Sequence, residues 1–409
     1  MTVQVSELGD QEVRRRRVFY IPGYDPIPPR RYRELYRKES RAQAEISGYE
    51  IDLSAKKGRR FGWSVRSLIK GTQTESEIDV LVWSDIVQDS MDAGILRTYL
   101  ILARTAWTYI GSGALFRLMK LRRGPVLAAL YPIGVLLLQL GVALGLFWGV
   151  SAVAGRFGTF IQGLGIAAGL GLAYALLTWF KRQDGKFFAY YLMHDYGFSA
   201  RWRGADPPAL VTRMAEFRAD IAEALRQDWD EVLIVGHSSG AHVGVSILAE
   251  LIRRGDVPDN GPELSFVSLG QVVPMVSYLP EAKALRRDLA YLSAREELFW
   301  LDVTAPGDPC SFALCDPVKV SGVAPKDQKY PLVISAAFKN TLSPARWDAL
   351  KRRFFRLHFQ YLCAFDRPGP YDYFQITAGG HTLRTRFATH MPSPSRIDIP
   401  ANRYTDMAP

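Results

Sequence analysis

The stretch EVLIVGHSSGAHVGV at residues 231–245 decides how the rest of the chain is interpreted. A run of apolar residues ends at Val235, and a helical pattern with an apolar face begins after Gly240. An apolar run of this length, followed by glycines and a helical period, predicts a buried strand, a sharp turn and a helix. The turn is open to two interpretations: a plain connection, or a site that presents Ser238 for chemistry.

The composition limits the classes of protein to consider. The chain has 409 residues, 48% of them apolar, which allows one large domain or two ordinary ones. The net charge of +10 suits nucleic acid, an anionic membrane surface or a basic soluble protein. Cys310, Cys315 and Cys363 form no CxxC pair and are too few for a disulfide framework, so a reducing compartment is expected. Charges near the N-terminus argue against a cleaved export signal.

Two uncharged apolar runs, at residues 125–150 and 158–180, dominate the centre of the chain. Each exceeds the roughly 20 residues that span a bilayer, and the short connection makes the pair a helical hairpin. Buried core helices are the alternative, although such helices usually carry a polar stripe. Basic residues flank both outer ends, whereas the connection carries only Arg156. The positive-inside rule therefore predicts that both termini and the remaining domain lie on the cytoplasmic side.

Two further features accompany this predicted membrane hairpin. Gly165 and Gly169 form a GxxxG pair, which favours close helix packing within the hairpin or between copies in a homo-oligomer. Residues 96–116 are apolar but interrupted by arginines, which is typical of a segment lying along the membrane interface. The predicted organisation is a first domain part at 1–95, an interfacial segment at 96–124, the hairpin at 125–180, a main domain part at 181–390 and an irregular tail at 391–409.

Outside the hairpin, apolar strand patterns alternate with helical ones. The predicted strands are 18–26, 78–86, 231–235, 264–269, 298–304, 331–336 and 372–377. One helix is predicted to start at Asp206–Pro207, and another, capped by Ser343, to continue as far as Tyr361. Continuous apolar strands alternating with helices predict an α/β fold with a mostly parallel sheet covered on both faces.

The strand, the G-x-S-x-G turn and the helix at 231–245 together resemble the nucleophile elbow of the α/β-hydrolase superfamily. The resemblance covers the strand at 18–26 and residues 206–385, and it excludes the hairpin. It implies a serine nucleophile, an acid and a histidine in that chain order, together with an oxyanion hole. Ser238 would be the nucleophile, and Gly236, His237 and Gly240 would form the elbow around it.

The same resemblance implies two backbone donors for the oxyanion hole. One is the N–H group of Ser239, which follows the nucleophile. The other comes from the turn after the strand at 18–26, where Tyr24, next to Gly23, is the expected donor. An ordinary β-turn is the alternative for this second segment.

For the acid, Asp308 stands just beyond the strand at 298–304, at the carboxyl end where chemistry is expected. Asp302 lies inside that strand and would point into the sheet packing, while Asp366 and Asp372 are further alternatives. A turn aspartate before a proline is the structural alternative for Asp308.

For the base, His381 follows the predicted strand at 372–377 and is the expected histidine. His358 lies on a predicted amphipathic helix, which favours a structural role, and His390 lies in the tail. His237 and His242 flank the nucleophile and suit local packing or substrate contacts. The long gap between Asp308 and the expected base departs from the family pattern, as does the inserted hairpin, and the gap leaves the acid open.

The leading hypothesis is a membrane-anchored serine hydrolase that cleaves carboxylic esters, preferably of lipids, through an acyl-enzyme. A non-catalytic membrane scaffold is the alternative, and a transporter is disfavoured because neither run contains a charge. No cofactor or metal is expected, because HExxH, P-loop and zinc-finger spacings are missing from the sequence. The basic region at residues 14–41 is by default a solvated surface, and among functional interpretations it favours contact with anionic lipid headgroups over nucleic acid.

Overall fold

The computed structural model describes residues 12–24, 27–86 and 94–408. The strands in this part of the chain belong to one sheet. They are β1 (Arg15–Ile21), β2 (Glu50–Ala55), β3 (Gly62–Ile69), β4 (Thr72–Val80), β5 (Glu231–His237), β6 (Glu263–Leu269), β7 (Leu298–Thr304) and β8 (Leu332–Ser335).

The sheet confirms the predicted α/β fold with mostly parallel strands. Its order is β2-β3-β4-β1-β5-β6-β7-β8, and among the described strands β3 alone runs in the opposite direction to the others. Strands β2, β3 and β4, which come directly after β1 in the chain, lie on one side of β1 in the sheet. Strand β5 and the strands that come after it lie on the other side. β1 and β5 therefore form the switch point of the sheet, outside whose carboxyl ends ligands bind in open α/β folds.

Helices cover both faces of the sheet because residues along each strand alternate between two apolar clusters. In β1, Phe19 and Ile21 join one cluster, whereas Val18 and Tyr20 join the other. The helices are Pro29–Ser47, Ile95–Gly111, Ala114–Leu121, Arg123–Gly155, Thr159–Arg182, Asp184–Phe187, Ala189–Arg201, Pro208–Ala224, Gly240–Arg253, Val273–Ser277, Lys283–Ser293, Pro317–Val320, Phe338–Thr341, Pro344–Leu350, Phe354–His358, Tyr373–Ala378 and Leu383–Phe387, with a 3₁₀ turn at Phe359–Leu362.

Two predictions of local structure are wrong. The strand predicted at 372–377 is the helix Tyr373–Ala378, because the Asp372 side chain accepts hydrogen bonds from the N–H groups of Phe374 and Gln375 and caps it. The long helix predicted from Ser343 ends at Leu350 and resumes only at Phe354. The strands β2 and β3 were not predicted, because their residues alternate in polarity instead of forming apolar runs.

The described part of the chain contains two helices long and apolar enough to cross a membrane, Arg123–Gly155 and Thr159–Arg182, which we call the hairpin. Only 17% and 11% of their most apolar windows are buried, which disfavours the interpretation as core helices. A Cβ on Gly165 would lie 2.2 Å from the Ala154 Cβ, and one on Gly169 would lie 3.1 Å from the Phe147 side chain. Gly165 and Gly169 therefore pack within the hairpin, the first of the two arrangements that the GxxxG pair predicts.

An ion pair buried inside the fold joins β1 to β5. Arg16 and Glu231 are both fully buried, with Nε and Oε2 2.5 Å apart. The remaining guanidinium nitrogens of Arg16 donate to the carbonyls of Gly379 and His381 at 2.6 Å. The other carboxylate oxygen of Glu231 accepts from the Ser265 hydroxyl and the Leu383 N–H. The pair therefore ties the C-terminal segment to the amino end of the central strands.

We expect Arg16→Met to lower the free energy of unfolding by about 3–5 kcal/mol, because it leaves the Glu231 carboxylate buried without a counter-charge. Arg66→Met is the matched control: its pair with Glu75 is exposed, so the expected loss is about 0–1 kcal/mol. Urea unfolding in detergent micelles, followed by tryptophan fluorescence, measures both. Equal losses in the two variants would contradict the structural role of the buried pair.

Candidate functional site

Ser238 lies at the turn between β5 and the helix Gly240–Arg253, with a backbone φ of +56°. Residues other than glycine rarely adopt this left-handed conformation, and such strain is concentrated at functional sites. The turn is held by its neighbours, since the Ser238 N–H donates to the Leu269 carbonyl at 2.8 Å. The structure therefore places the predicted nucleophile at the carboxyl end of the sheet, at the switch point.

The two glycines of the turn are required by close backbone contacts. A Cβ on Gly240 would lie 2.2 Å from the carbonyl oxygen of Ile21, at the end of β1. A Cβ on Gly236 would lie 2.8 Å from the Cα of Ala241. Side chains cannot occupy these positions unless the backbone moves, so the G-x-S-x-G spacing follows directly from the packing.

The predicted oxyanion segment lies against this turn. The Tyr24 N–H donates to the Ser239 Oγ at 2.5 Å, and the Trp83 indole N–H donates to the Pro22 carbonyl at 3.0 Å. The Tyr191 hydroxyl donates to the Tyr24 carbonyl at 2.6 Å. The structure thus brings Tyr24 and Ser239 together as predicted, but the Ser239 hydroxyl must rotate before the Tyr24 N–H can bind an oxyanion.

Asp308 forms a buried pair with His358, the histidine that the sequence analysis interpreted as structural. The His358 Nδ1 lies 2.7 Å from the Asp308 Oδ2, and the two residues are 6% and 2% exposed. The Tyr361 hydroxyl donates to the same carboxylate oxygen at 3.1 Å, and the Cys310 N–H donates to the other at 2.9 Å. Three hydrogen bonds thus fix the carboxylate, and one of them fixes the imidazole of His358.

The chemistry of this pair decides which nitrogen of His358 can act as a base. Burial alone would raise the pKa of Asp308, but the charge and hydrogen bond of His358 outweigh it and hold that pKa below its ordinary value. The ionised carboxylate only accepts hydrogen bonds, so the Nδ1 of His358 carries the proton. The buried Nε2 has no hydrogen-bond partner among the described residues. In the neutral imidazole with its proton on Nδ1, the lone pair of this Nε2 can accept a proton.

His237, the residue before Ser238, packs against the ring of His358 and contacts its backbone. Its ring centroid lies 4.9 Å from that of His358, and its Nε2 lies 3.1 Å from the His358 carbonyl oxygen. Burial, reinforced by the neighbouring His358, lowers the pKa of His237 to about 3, so this imidazole stays neutral. His237 therefore positions the backbone of His358 and does not add a charge beside it.

The structure does not bring His381 to Ser238, contrary to the prediction. His381 is exposed, its carbonyl accepts from Arg16, and it forms a β-bridge with Glu12. Arg16 lies at the amino end of β1, five residues before Ile21, so His381 is roughly 17 Å along the sheet from the edge where β5 ends. The reason is the helix Tyr373–Ala378, which returns the chain to the wrong end of the sheet for catalysis.

The three alternative acids have other partners. Asp302 is fully buried inside β7, and its Oδ1 accepts from the Ser268 hydroxyl at 2.5 Å. Asp372 caps a helix, and Asp366 accepts from the Ser343 N–H and from Arg346. Among these carboxyl groups and Asp308, only Asp308 is hydrogen-bonded to a histidine in the described structure.

Ser238, Ser239, Tyr24, His237 and His358 line one cavity of about 100 Å³. The helix Ala189–Arg201 contributes five further lining residues, and Ile95–Gly111 contributes Tyr109. The turn after β5 thus supplies Ser238, the helix Phe354–His358 supplies the histidine, and Ala189–Arg201 closes part of the cavity around them.

One ligand atom each of Asp308, Cys310 and His358 lies within 4.8 Å of the others, a spacing that raises the question of a metal. Burial, with the charges of Asp308 and Asp195, raises the pKa of the Cys310 thiol well above its ordinary value, whereas metals bind the thiolate. A metal would also have to break the short bond between His358 and Asp308. The donor set therefore fits a hydrogen-bonded pair beside a neutral thiol better than a zinc site.

The assignment of Asp302 as a buried group inside β7 can be tested through the pKa of its carboxyl group, which burial raises to about 8. The unfolded chain loses this proton near the ordinary aspartate value while the folded chain keeps it, so wild-type stability falls as the pH rises toward 8. Asp302→Asn cannot titrate. We expect the variant to gain about 1.4 kcal/mol over the wild type for each pH unit in this window.

Urea unfolding at pH 5 and pH 8 measures this gain, with the exposed Asp348→Asn as the control that should show none. A pH-independent difference between variant and wild type would contradict the neutral state of Asp302.

Comparisons of the chain with protein-family models, curated protein sequences and solved structures found no match. Folds of this class host many unrelated activities, so function has to be argued from the site. The site has a strained serine, a carboxylate-bound histidine and adjacent backbone donors around one cavity.

Proposed function

We propose that the protein is a membrane-associated serine hydrolase that cleaves carboxylic esters through Ser238, His358 and Asp308. The observation that carries the proposal is that Ser238, in its strained turn, shares a cavity with the buried His358–Asp308 pair. A nucleophile, a base in hydrogen-bond contact with an orienting acid and nearby oxyanion donors are the parts that acyl transfer requires. His358 replaces His381 as the base.

The proposed reaction has two halves. His358 Nε2 takes the proton of the Ser238 hydroxyl as Oγ attacks the ester carbonyl, and the resulting imidazolium returns it to the departing alcohol. Asp308 keeps the imidazole oriented and stabilises its positive charge. Water then attacks the acyl-enzyme by the same proton path and releases the carboxylic acid. The N–H groups of Ser239 and Tyr24 would stabilise the negative oxygen in both halves.

The architecture supports an assignment to the α/β-hydrolase superfamily as part of this proposal. The nucleophile turn follows a central parallel strand, and the acid follows a later strand, as that resemblance implies. The chain order of serine, acid and histidine is also kept with His358.

We expect a fluorophosphonate probe to label the wild type and to fail on Ser238→Ala, because the probe reacts only with an activated serine. His358→Gln should reduce labelling by several orders of magnitude, since it removes the base. His381→Gln is the matched control, a histidine at the opposite end of the sheet that should leave labelling unchanged. Asp308→Asn should lower kcat for p-nitrophenyl esters by about 10⁴-fold.

Circular dichroism of each variant controls for folding. Loss of labelling in His381→Gln with normal labelling in His358→Gln would reverse the assignment of the base. A wild type that is folded yet shows neither labelling nor ester hydrolysis would favour the alternative, a non-catalytic membrane scaffold. One observation favours this alternative: the Tyr24 N–H already donates its hydrogen bond to the Ser239 Oγ.

The position of the hairpin supports lipids as substrates. The base of its first helix meets the acid loop, since a Cβ on Gly124 would lie 3.3 Å from the backbone of Pro309. The Arg122 guanidinium donates to the Ala313 carbonyl in the same loop at 2.9 Å. The second helix leads into Ala189–Arg201, which lines the cavity. If the hairpin spans the bilayer, with both ends on the cytoplasmic side, the cavity lies close to the membrane surface.

We therefore expect long-chain, membrane-resident esters to be cleaved with a higher kcat/KM than short soluble esters of the same alcohol. The physical reason is that the hairpin holds the cavity where long acyl chains are concentrated. Purified protein in mixed micelles, offered matched esters of four and sixteen carbons, provides the measurement. A higher kcat/KM for the short ester would leave the hairpin as an anchor only.

A further inference from the structure

A second cavity, of about 670 Å³, lies at the base of the hairpin, where the first hairpin helix begins. Part of its lining comes from residues 119–125, which join the helix Ala114–Leu121 to the helix Arg123–Gly155. The rest comes from residues 306–309, 311 and 313, in the loop after β7. We call this cavity the basic pocket. Among the described lining residues, it shares only Pro125 with the cavity of Ser238, so the two are separate sites.

Three cationic side chains, those of Lys120, Arg122 and Arg123, line the basic pocket. Lys120 and Arg123 are exposed, and neither forms an ion pair with a described residue. Arg122 is half-buried, and its Nε donates to the Ala313 carbonyl at 2.9 Å, which holds the guanidinium against the loop. A guanidinium keeps its charge throughout the physiological pH range and matches the geometry of phosphate oxygens. These cations are therefore available to an anionic ligand.

Asp308 is the one acidic residue in the described lining of the basic pocket, and it does not cancel the three positive charges. The residue is only 2% exposed. Its carboxylate is paired with His358 and accepts hydrogen bonds from the Tyr361 hydroxyl and the Cys310 N–H. Protonation of His358 would add a positive charge beside the pocket and would not remove one. The charge of the pocket is therefore positive in either state of that histidine.

An exposed apolar surface continues from the basic pocket along the first hairpin helix. Leu127 and Tyr131 follow Arg123 at intervals of four residues, which places all three on one face of the helix. These two side chains are 59% and 45% exposed. Each interval of four residues advances about 6 Å along the helix axis. If the hairpin spans the bilayer, Arg123 lies at the level of the lipid phosphates, and Leu127 and Tyr131 lie beside the acyl chains.

A positive pocket that continues into an exposed apolar surface matches a molecule with a phosphate at one end and acyl chains at the other. We propose that the basic pocket binds the headgroup of an anionic phospholipid from the adjoining leaflet. The phosphate lies among Lys120, Arg122 and Arg123, and the acyl chains lie against the first hairpin helix. A zwitterionic phospholipid would bring its ammonium group to the same cations and bind more weakly. This inference rests on the membrane association in the proposed function, and it does not require ester hydrolysis.

Calorimetric titration of the full chain in nonionic maltoside micelles tests the proposal. The probe is an ether-linked phosphatidylglycerol with two eight-carbon chains, which has no acyl ester for a hydrolase to cleave. The wild type should bind it about tenfold more tightly than the ether-linked phosphatidylcholine with the same chains. Lys120→Gln/Arg123→Gln should bind the probe about tenfold more weakly, because it removes two of the three cations. Lys120→Arg/Arg123→Lys keeps both charges and should stay within about threefold of the wild type.

The matched control is Arg182→Gln/Lys186→Gln, which removes two exposed cations at the end of the second hairpin helix and just after it, outside the basic pocket. Its affinity for the probe should stay within about threefold of the wild type. An equal loss in the two glutamine variants would show that the general charge of the surface holds the lipid, which overturns the site. Equal affinity of the wild type for the two lipids would also overturn it. Circular dichroism of each variant controls for folding.

Inorganic phosphate, titrated in the same micelles, separates a lipid headgroup from a free anion. Binding of phosphate as tight as that of the lipid probe would assign the pocket to a soluble anion and overturn the lipid proposal. The titration needs no turnover, so its result is independent of the esterase. Lipid binding by a wild type that a fluorophosphonate does not label would support the basic pocket and reject the hydrolase. Labelling without lipid binding would reject the basic pocket alone.

Discussion

The contact between Gly240 and the end of β1 is the constraint on which the site depends. A single methyl group at Gly240 would lie 2.2 Å from the Ile21 carbonyl oxygen, so the turn after β5 and the segment after β1 can meet only because this position has no side chain. Next to that contact, the Tyr24 N–H is hydrogen-bonded to the Ser239 Oγ, and Ser238 has its left-handed conformation. The packing of two neighbouring parallel strands thus brings the strained serine and the backbone donors together.

Sequence reasoning predicts this part of the molecule well, because its signals are local. The apolar runs that end at His237 and Thr304 are fully buried strands, and Ser238 and Asp308 follow them at the edge expected of a parallel sheet. Strands β2 and β3 carry a different local signal, the alternation of polar and apolar residues in a half-buried strand, which a search for apolar runs does not detect.

The choice between His381 and His358 shows this limit. Residues 372–377 carry an apolar pattern short enough for either a strand or a helix, and the Asp372 cap was the local signal for the helix. His358 looks structural on a continuous amphipathic helix, yet that helix ends at Leu350 and a separate short helix begins at Phe354. No spacing in the sequence shows to which end of the sheet each loop returns.

The location of the hairpin within the chain order explains why the hairpin and the cavity lie at the same end of the strands. The hairpin is inserted between β4 and β5. Because β4 runs parallel to β1 and β5, the chain leaves β4 at the carboxyl edge and must return to the amino end of β5 through the helix Pro208–Ala224. An insertion early in this connection therefore emerges at the edge where Ser238 lies. The same insertion after the returning helix would emerge at the opposite edge, beside His381, where it could not line the cavity.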